Sequence, residues 1–322
     1  MPKAHSSRKG SLAFRPRKRA STMNGRIRNW PDYSQPVLLG FPGYKAGMLH
    51  FLYNEDKQTS PNKGKEVACA GTLIEVPPIH VYGIRAYRQT PYGKRLVGDF
   101  LIKDDPVLKK AKVRVGKAKG IEEIDAAADG LCDVRALALT NPSLTTIGKK
   151  SHERIELGVG GQDVKKKIEY TRSIAGKDVN IEDVFEKGAY VDLIGVTKGK
   201  GWQGVVKRFG IAIQRRKATG KRRHLGNLGA WHPPIVEYTV AQAGQMGYHK
   251  RTILNNVIAD IGDPSKIQQA GGLLHYGEIR TKYVLVKGSV PGPKKRLIKI
   301  RRALRRSTEK RDFKVTYLSK AK

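Results

Sequence analysis

The stretch VACAGTLIEVPPIHVYGIRAY, residues 67–87, decides the fold class that the sequence predicts. Both halves are rich in β-branched and aromatic residues, which favour strands, and Pro77-Pro78 separates them because proline interrupts strand pairing. Further strand-like runs lie on either side, at residues 37–41, 48–53 and 96–102. Short strands at this spacing predict a mainly β fold built on a small antiparallel barrel or sandwich.

After Lys103 the pattern changes to a mixture of helix and strand signals. Helices are predicted over residues 121–128, from composition, and over 162–175, where apolar residues recur among charges. Asn180 followed by acidic residues is typical of a further helix start. Strands are predicted at 132–140 and 153–159, so that residues 104–188 form an α/β insertion.

A long basic stretch begins at Lys198, and strands resume only beyond Gly271-Gly272. A segment of this length with little core periodicity is usually functional or disordered when it occurs in a folded protein. The later strands are predicted at residues 273–279, 283–290, 297–304 and 313–318. The predicted organisation is a basic N-terminal extension (1–36), a first barrel part (37–103), the insertion (104–188), a barrel strand (189–197), a basic extension (198–261), and a second barrel part with a basic C terminus (262–322).

Positive charge is distributed unevenly along these segments. The chain of 322 residues has a formal net charge of +35. Residues 1–30 hold nine Lys or Arg and no acid, residues 198–251 hold twelve and one acid, and residues 287–322 hold fourteen and two. Residues 121–187, in contrast, hold thirteen acids and ten basic residues. Three acid-poor segments beside a balanced one indicate surfaces that face a polyanion, and release of condensed counterions would drive nucleic-acid binding.

Several other classes of protein are not favoured by the sequence. No apolar run is long enough to span a bilayer, so no membrane partner is expected. The N terminus lacks the apolar core of a secretory signal, although its Arg- and Ser-rich composition also fits a transit peptide. Cys69 and Cys132 are the only cysteines, and two such thiols favour small buried residues in a reducing cytosol over a disulfide framework or a zinc site.

Motifs for catalysis are not found. Around Gly199-Lys200 the spacing is one residue short of a phosphate-binding loop, and Gly201 stands where Ser or Thr would bind magnesium. His152-Glu153 lacks the second histidine of a zinc-protease motif, and there is no Gly-x-Ser-x-Gly elbow. We therefore expect no catalytic residue, no metal site and no enzyme activity. A glycine-lysine turn that approaches RNA phosphates fits residues 198–201 better.

Once catalytic motifs are excluded, the remaining functional signal is a set of basic and aromatic residues. Arginine offers a planar fork to phosphate oxygens, and an exposed aromatic ring can stack on a base. Trp231 lies between glycine and proline, so that insertion among nucleotides competes with a local packing role. For Trp202 and Tyr248 the choice between insertion among nucleotides and local packing is closer, and for Trp30 the sequence favours neither role. The candidate RNA-binding residues are Arg8, Lys9, Arg15, Arg17, Lys18, Arg19, Lys198, Lys200, Trp202, Lys207, Arg208, Arg215, Arg216, Lys217, Lys221, Arg222, Arg223, His224, Trp231, His232, His249, Lys250, Arg251, Lys294, Lys295 and Arg296.

Several segments carry a likeness to a known family: GYKAGM at 43–48, IGVTKGKGWQGV at 194–205, GAWHP at 229–233, GQMGYHKRT at 244–252 and HYGEI at 275–279. They resemble the universal large-subunit ribosomal protein L-three family. The basic residues 5–19 are similar to the start of archaeal and eukaryotic members, and the length favours an archaeal-type member. The resemblance covers essentially the whole chain.

The resemblance implies a six-stranded translation-protein-type β-barrel with an α/β insertion and two basic extensions, an N-terminal arm and a tryptophan finger. It implies a cytoplasmic protein of the large ribosomal subunit that binds 23S-type rRNA near its 3′ end and nucleates assembly. Trp231 would lie at the finger tip near the peptidyl transferase centre, with His232 beside it and Lys198 and Lys200 at the base. Expected neighbours are ribosomal proteins of the L-fourteen and L-twenty-four-e types, with no homo-oligomer and no cofactor beyond Mg²⁺ held by the RNA.

One departure from the family concerns a modified histidine that eukaryotic members have ahead of the finger tryptophan. The corresponding place here is near Thr219, and His224 is out of register, so the modification is not transferred. Two other functions stay open at this point. An architectural, DNA-compacting protein would also be basic, and an RNA-modifying enzyme would also bind RNA, although no motif points to its chemistry.

Overall fold

The structure is a computed structural model that describes residues 8–111, 119–127, 130–267, 271–306, 308–311 and 314–319. Within these residues the chain is mainly β, as the sequence predicts. The strands are β1 (Gly40–Asn54), β2 (Glu66–Glu75), β3 (Ile79–Thr90), β4 (Gly93–Leu101), β5 (Lys119–Gly120), β6 (Leu131–Leu139), β7 (Arg154–Gly158), β8 (Asp178–Val179), β9 (Tyr190–Val196), β10 (Trp202–Gln203), β11 (Gly244–Gln245), β12 (Lys250–Gly262), β13 (Tyr283–Lys287), β14 (Leu297–Arg302) and β15 (Lys314–Leu318). The α-helices are α1 (Pro106–Lys110), α2 (Val164–Ile174) and α3 (Val205–Phe209).

The chain divides into two compact units. The basic unit consists of the N-terminal residues up to Thr22 together with residues 196–250. The sheet unit consists of residues 23–195 and 251–322. None of the helices in the described residues is long and apolar enough to cross a bilayer.

Six strands of the larger sheet form a closed path. Their order is β14-β9-β12-β13-β2-β1, and β1 pairs in turn with β14. The length of β1 permits this closure, because residues 40–44 pair with β14 while residues 44–54 pair with β2. The short strand β15 adds to the far end of β1 at residues 51–54. Buried apolar side chains from these strands, among them Phe41 and Leu285, form the main core.

A second sheet begins immediately after Pro77-Pro78. Its order is β5-β4-β3-β6-β7, and β8 pairs with the first residues of β3. Helix α2 packs on this sheet through Ile168, which shares a small core with Ile84 and Phe100. Residues 79–102 are predicted as part of the barrel, but β3 and β4 lie in the second sheet. Composition favours a strand but does not select its partner strand, so β2 and β3 were indistinguishable by sequence.

Other predicted elements differ from the structure in extent. Residues 250–261, placed in the basic extension, form most of β12, a strand of the closed sheet. The strand predicted at 273–279 is a turn in which Tyr276 and Gly277 donate backbone hydrogen bonds to Leu273. Helix α2 is confirmed, whereas the segment from Ile121 is a 3-10 helix that ends at Ala127. Phe313 lies outside the described residues, and β15 begins one residue later.

Residues 24–36, predicted as part of the basic N-terminal extension, pack within the sheet unit. Ile27 is buried, and the indole of Trp30 lies against two glycines. A Cβ at Gly158 would be 2.4 Å from Trp30 Cδ2, and one at Gly40 would be 3.0 Å from Trp30 Cζ3. Both glycines therefore provide the space for the ring. Trp30, which the sequence left undecided, is a packing residue of the sheet unit.

A buried ion pair connects this segment to the closed sheet. Asp192 in β9 is fully buried and accepts a hydrogen bond from the side chain of Arg301 in β14. Asp192 also accepts the backbone N–H of Asn255 at 2.9 Å and that of Leu304 at 3.2 Å. Arg301 Nη1 donates to the carbonyl of Asn29 at 2.6 Å. Removing one partner of such a pair leaves a buried charge that costs about 3–5 kcal/mol.

His80 at the start of β3 connects three elements of the second sheet. Its Nε2 lies 2.5 Å from Asp105 Oδ2, and its Nδ1 lies 2.9 Å from Asp178 Oδ1 in β8. Asp105 also caps α1 by accepting the N–H of Val107 at 2.8 Å. Burial lowers the pKa of His80, but the hydrogen bonds and charges of the two carboxylates outweigh burial and raise it. The protonated imidazolium therefore stabilises this junction.

We expect Gly158→Ala to lower the free energy of unfolding by about 1–3 kcal/mol, because the new methyl group would overlap the indole of Trp30. Urea unfolding of the full chain measures this. The matched control is Gly98→Ala in β4, where the nearest atom to an added Cβ is 3.9 Å away. Equal stabilities of the two variants would contradict the packing described for Trp30.

The stability of the chain should also depend on pH through His80. Because folding raises the pKa of His80 above 6.5, its contribution is complete below that pH and is lost as pH rises through the folded-state pKa. Urea unfolding of the wild type should therefore show a decrease in stability above pH 6.5 that His80→Gln lacks. The same pH dependence in both proteins would show that the junction does not rely on the imidazolium.

Candidate nucleic-acid interface

The basic unit is built on two chain segments that lie side by side. Strand β10 pairs with β11 in an antiparallel ladder, in which Trp202 opposes Gln245. Irregular backbone hydrogen bonds continue the pairing: Thr197 N–H donates to His249, Lys200 N–H to Met246, and Met246 N–H to Gly201. The chain leaves and returns at one base, so residues between β10 and β11 form one long excursion.

A glycine and an arginine fix the base of this excursion. Gly247 has φ +70, and a Cβ there would lie 2.1 Å from the carbonyl oxygen of Lys198, so a side chain cannot be accommodated. Arg208 in α3 donates from Nη1 to Gln242 at 2.8 Å and from Nε to Gln245 at 3.1 Å. Burial lowers the pKa of Arg208. The guanidinium therefore serves the internal structure of the unit.

The N-terminal arm packs on the same excursion through arginines. Arg15 donates to the carbonyl of Tyr238 at 2.6 Å, and its guanidinium lies 4.3 Å from the centre of the Tyr238 ring. The guanidinium of Arg17 lies 4.2 Å from the centre of the Phe209 ring. Arg8 donates to the carbonyl of Thr239 at 2.5 Å. The arm and the excursion, predicted as two extensions, therefore form one compact unit.

Backbone contacts extend this packing to the end of the arm. The N–H of Ala20 donates to the carbonyl of Tyr248 at 2.8 Å, and His249 Nδ1 lies 3.0 Å from the carbonyl of Lys18. Gly10 allows the close approach of the arm at its other end, since a Cβ there would lie 2.6 Å from the ring of Phe209. Tyr248 and His249 therefore contribute to docking of the arm.

The far part of the excursion exposes its aromatic and apolar residues. Trp231 is 87% exposed and Tyr238 is 68% exposed, and at the base of the excursion Trp202 in β10 is 76% exposed. His232 lies edge-on to Trp231, with ring centres 6.4 Å apart. A ring this exposed contributes little to the stability of the free protein, but it is available for stacking on a base. The packing role that competed for Trp231 at the level of sequence is not observed.

The candidate cations differ in how they are used. Arg8, Arg15, Arg17 and Arg208 bind within the basic unit, Arg222 donates weakly to Gln214 at 3.4 Å, and Lys294 donates to Leu274 at 2.6 Å. Lys250, Arg251 and Arg296 also interact with other residues. The candidates that are exposed and whose charged groups pair with no other described residue are Lys9, Lys18, Arg19, Lys198, Lys200, Lys207, Arg215, Arg216, Lys217, Lys221, Arg223 and Lys295.

The structure groups most of the candidates, but not all. Those in the arm and in residues 198–250 belong to the basic unit, whereas Arg251 and residues 294–296 belong to the sheet unit. The contacts of Phe209 and Tyr238 with arginines of the arm are not predicted by the sequence. An arginine-rich segment and spaced aromatic residues were both visible, but pairing between them depends on the folded geometry.

Within the described residues no three His, Cys, Asp or Glu side chains are arranged to share a metal ion. The two tyrosines whose pKa is raised most, Tyr276 and Tyr283, have structural roles. Burial and the neighbouring Glu75 raise the pKa of Tyr276, which donates to that carboxylate at 2.5 Å. Burial, together with a hydrogen bond to Asp260, raises the pKa of Tyr283. Both tyrosines therefore remain protonated donors in the core of the sheet unit.

Comparison with known proteins identifies close relatives. The family profile described as "Ribosomal protein L3" matches residues 1–105 and 106–320. A "Large ribosomal subunit protein uL3" from Methanothermobacter thermautotrophicus is 43% identical over 332 residues, with 100% of this chain and 98% of the relative covered. The protein of the same name from Methanocaldococcus jannaschii is 46% identical, covering 92% and 91%. That from Archaeoglobus fulgidus is 44% identical, covering 94% and 93%.

We expect Arg17→Ala to loosen the arm of the free protein. Loss of a cation–π contact worth about 1 kcal/mol should raise the population of undocked arm roughly fivefold. Chymotrypsin cleavage after the exposed Phe14 measures that population. Lys18→Ala is the matched control, because the Lys18 side chain is exposed and only its carbonyl contacts His249. Equal cleavage rates in the two variants would contradict docking through Arg17.

Proposed function

The chain belongs to the ribosomal protein L3 family, and on this premise we propose that it is a structural constituent of the large ribosomal subunit that binds its rRNA. The observation that carries the proposal is the basic unit. Its arm is docked on the excursion by arginines, its lysines are exposed, and Trp231 is presented at the far part. As a ribosomal component the protein acts in translation in the cytoplasm.

Binding would proceed through charge neutralisation. A chain with a net charge of +35 repels itself, and contact with phosphates removes that repulsion and releases counterions. Lys198, Lys200 and Lys207 are exposed at the base of the excursion and suit contacts to phosphate as point charges. The arm arginines hold the unit together, so that fewer of its torsions must be ordered when RNA binds.

Finer features of the proposal rest on likeness to the family. We propose that residues 198–250 are the tryptophan finger, with Trp231 directed toward the peptidyl transferase centre and His232 beside it. The exposure of Trp231 supports this role. We also propose binding near the 3′ end of the rRNA, a part in nucleating assembly, and neighbours of the L-fourteen and L-twenty-four-e types. The closed path of six strands supports a translation-protein-type barrel.

Two other functions are less well supported. A DNA-compacting protein would account for the charge, but not for likeness to ribosomal proteins over the whole chain. An RNA-modifying enzyme needs reactive groups beside a substrate site. Tyr276 and Tyr283, whose pKa values are strongly raised, are core residues of the sheet unit, and neither lies in the basic unit. We therefore propose that the protein acts without catalysis of its own and without a cofactor, apart from Mg²⁺ bound by the RNA.

Cosedimentation tests the proposal directly. The full chain should run with large ribosomal subunits and remain there after a wash at moderate salt, because many simultaneous phosphate contacts must be broken to release it. Recovery with chromosomal DNA after a low-salt wash would support the compacting protein instead. Methyl transfer or deamination on purified RNA would support the enzyme.

We expect Trp231→Ala to leave the unfolding free energy unchanged within about 0.5 kcal/mol, because an exposed ring makes few contacts in the free protein. Subunits that contain the variant should synthesise peptides more slowly, since ~1–3 kcal/mol of stacking on RNA is lost. Thermal unfolding and a translation assay measure the two effects.

Trp30→Ala is the contrasting control for Trp231→Ala. It removes a ring packed on the main core and should lower stability by on the order of 2 kcal/mol or more. If Trp231→Ala proves as destabilising as Trp30→Ala, or if its subunits translate at the normal rate, the role proposed for the finger tip is wrong.

A further inference from the structure

A cleft of about 1200 Å³ lies in the sheet unit, between residues 26–34 and the surface formed by β6 and the start of α2. It is larger than the usual range of ligand sites, roughly 300–1,000 Å³, so it has room for a nucleotide of a longer strand. Its charged lining comprises Arg26, Arg28, Asp32, Lys94, Asp133, Arg135 and Lys167. None of these residues was a candidate in the sequence analysis.

The walls of the cleft are fixed by hydrogen bonds on both sides. Asn24 Nδ2 donates to the carbonyl of Arg154 at 2.9 Å, before the cleft-lining segment begins. Arg301 donates to the carbonyl of Asn29 in the middle of the segment. The N–H of Gly161 donates to the carbonyl of Tyr33 at 2.7 Å, near its end. The cleft is therefore a built feature of the folded unit.

Positive charge in the cleft exceeds what its acids neutralise. Asp133 is surrounded by three cations: Lys94 Nζ at 2.9 Å, Arg135 Nε at 3.4 Å and Lys167 Nζ at 3.7 Å. Arg135 is shared with Glu156, at 2.6 Å. Arg28 is exposed and forms no ion pair with any other described residue. Two carboxylates, those of Asp32 and Asp133, stand among five cations in the lining, which leaves a net attraction for an anion.

One residue of the cleft wall has a buried hydrogen-bond donor that the protein does not use. Trp30 lines it, and the buried Nε1–H of the indole has no acceptor among the described residues. Because the ring packs against Gly40 and Gly158, it has little face left for stacking. The guanidinium and ammonium groups that line the cleft are donors with positive charge, so the matching ligand presents acceptors and negative charge.

We propose that this cleft binds the phosphodiester backbone of RNA, as a second contact in addition to the basic unit. The inference rests on the proposed function, because rRNA is the polyanion that a constituent of the large subunit meets. Arg26 and Arg28 provide planar forks for phosphate oxygens, and Lys94 and Lys167 provide point charges. Release of counterions from RNA favours a nucleic acid over an acidic peptide.

Photo-crosslinking in assembled subunits identifies the occupant. The full chain carries p-benzoylphenylalanine in place of Gln162, an exposed residue of the cleft, and a second preparation carries it in place of Trp231. Crosslinks from position 162 to rRNA are expected. Crosslinks only to a ribosomal protein, or none from chains that are present in subunits, would overturn the inference. Absence of the chain from subunits would instead contradict the proposed function.

Charge removal provides a second test with a matched control. Arg26→Gln/Arg28→Gln is compared with Lys57→Gln/Lys63→Gln, which removes the same charge from an exposed turn of the sheet unit outside the cleft. The affinity of each full chain for purified large-subunit rRNA is measured across salt concentrations. The slope of log K against log salt should fall by roughly 0.7–0.9 for each lost contact in the cleft variant alone. Equal slopes in two stably folded variants would refute the cleft as an RNA site.

Discussion

The buried carboxylate of Asp192 is the constraint on which the sheet unit depends most. It is fully buried and accepts hydrogen bonds from Arg301 and from the backbone N–H groups of Asn255 and Leu304. These bonds tie together β9, β12 and the end of β14, three neighbours in the closed sheet. Arg301 also donates a hydrogen bond to the carbonyl of Asn29, which links these strands to the segment that carries Trp30. Since an unpaired charge at this depth is strongly unfavourable, the fold requires that Asp192 in β9 and Arg301 in β14 pair with each other.

The sequence predicted the type of most elements, because strand composition and the pattern of α2 are local properties. It did not predict which strands pair. Residues 67–76 and 79–87 look alike, and only the folded structure separates them into two sheets. Nor did it predict that residues 24–36 would pack, because the signal was a single Trp30 whose partners, Gly40 and Gly158, lie far away in the chain. A glycine that makes room for a distant ring has no local signature.

The lysines and arginines among the candidate RNA-binding residues were predicted from charge, and charge does not distinguish cations that bind ligand from those that hold the protein together. In the arm, Arg15 and Arg17 use their planar groups on aromatic rings and carbonyls, whereas Lys9 and Lys18 remain exposed. The guanidinium group is more weakly hydrated and pairs readily with aromatic rings. The ammonium group keeps its hydrating water until phosphate oxygens displace that water. A basic segment can therefore use its arginines for internal packing and still offer its exposed lysines to RNA.

The paired base formed by residues 197–203 and 244–249 determines how far the length of the excursion can change without loss of the fold. Because the two ends of the excursion are already joined there, its interior is a closed loop, and doubling the length of such a loop adds only about 0.6 kcal/mol. Insertions in the exposed far part of the excursion, away from the residues on which the arm packs, should thus cost little folding free energy. The length of the excursion can then vary, while its base requires glycine at position 247, where a Cβ would lie 2.1 Å from the carbonyl oxygen of Lys198.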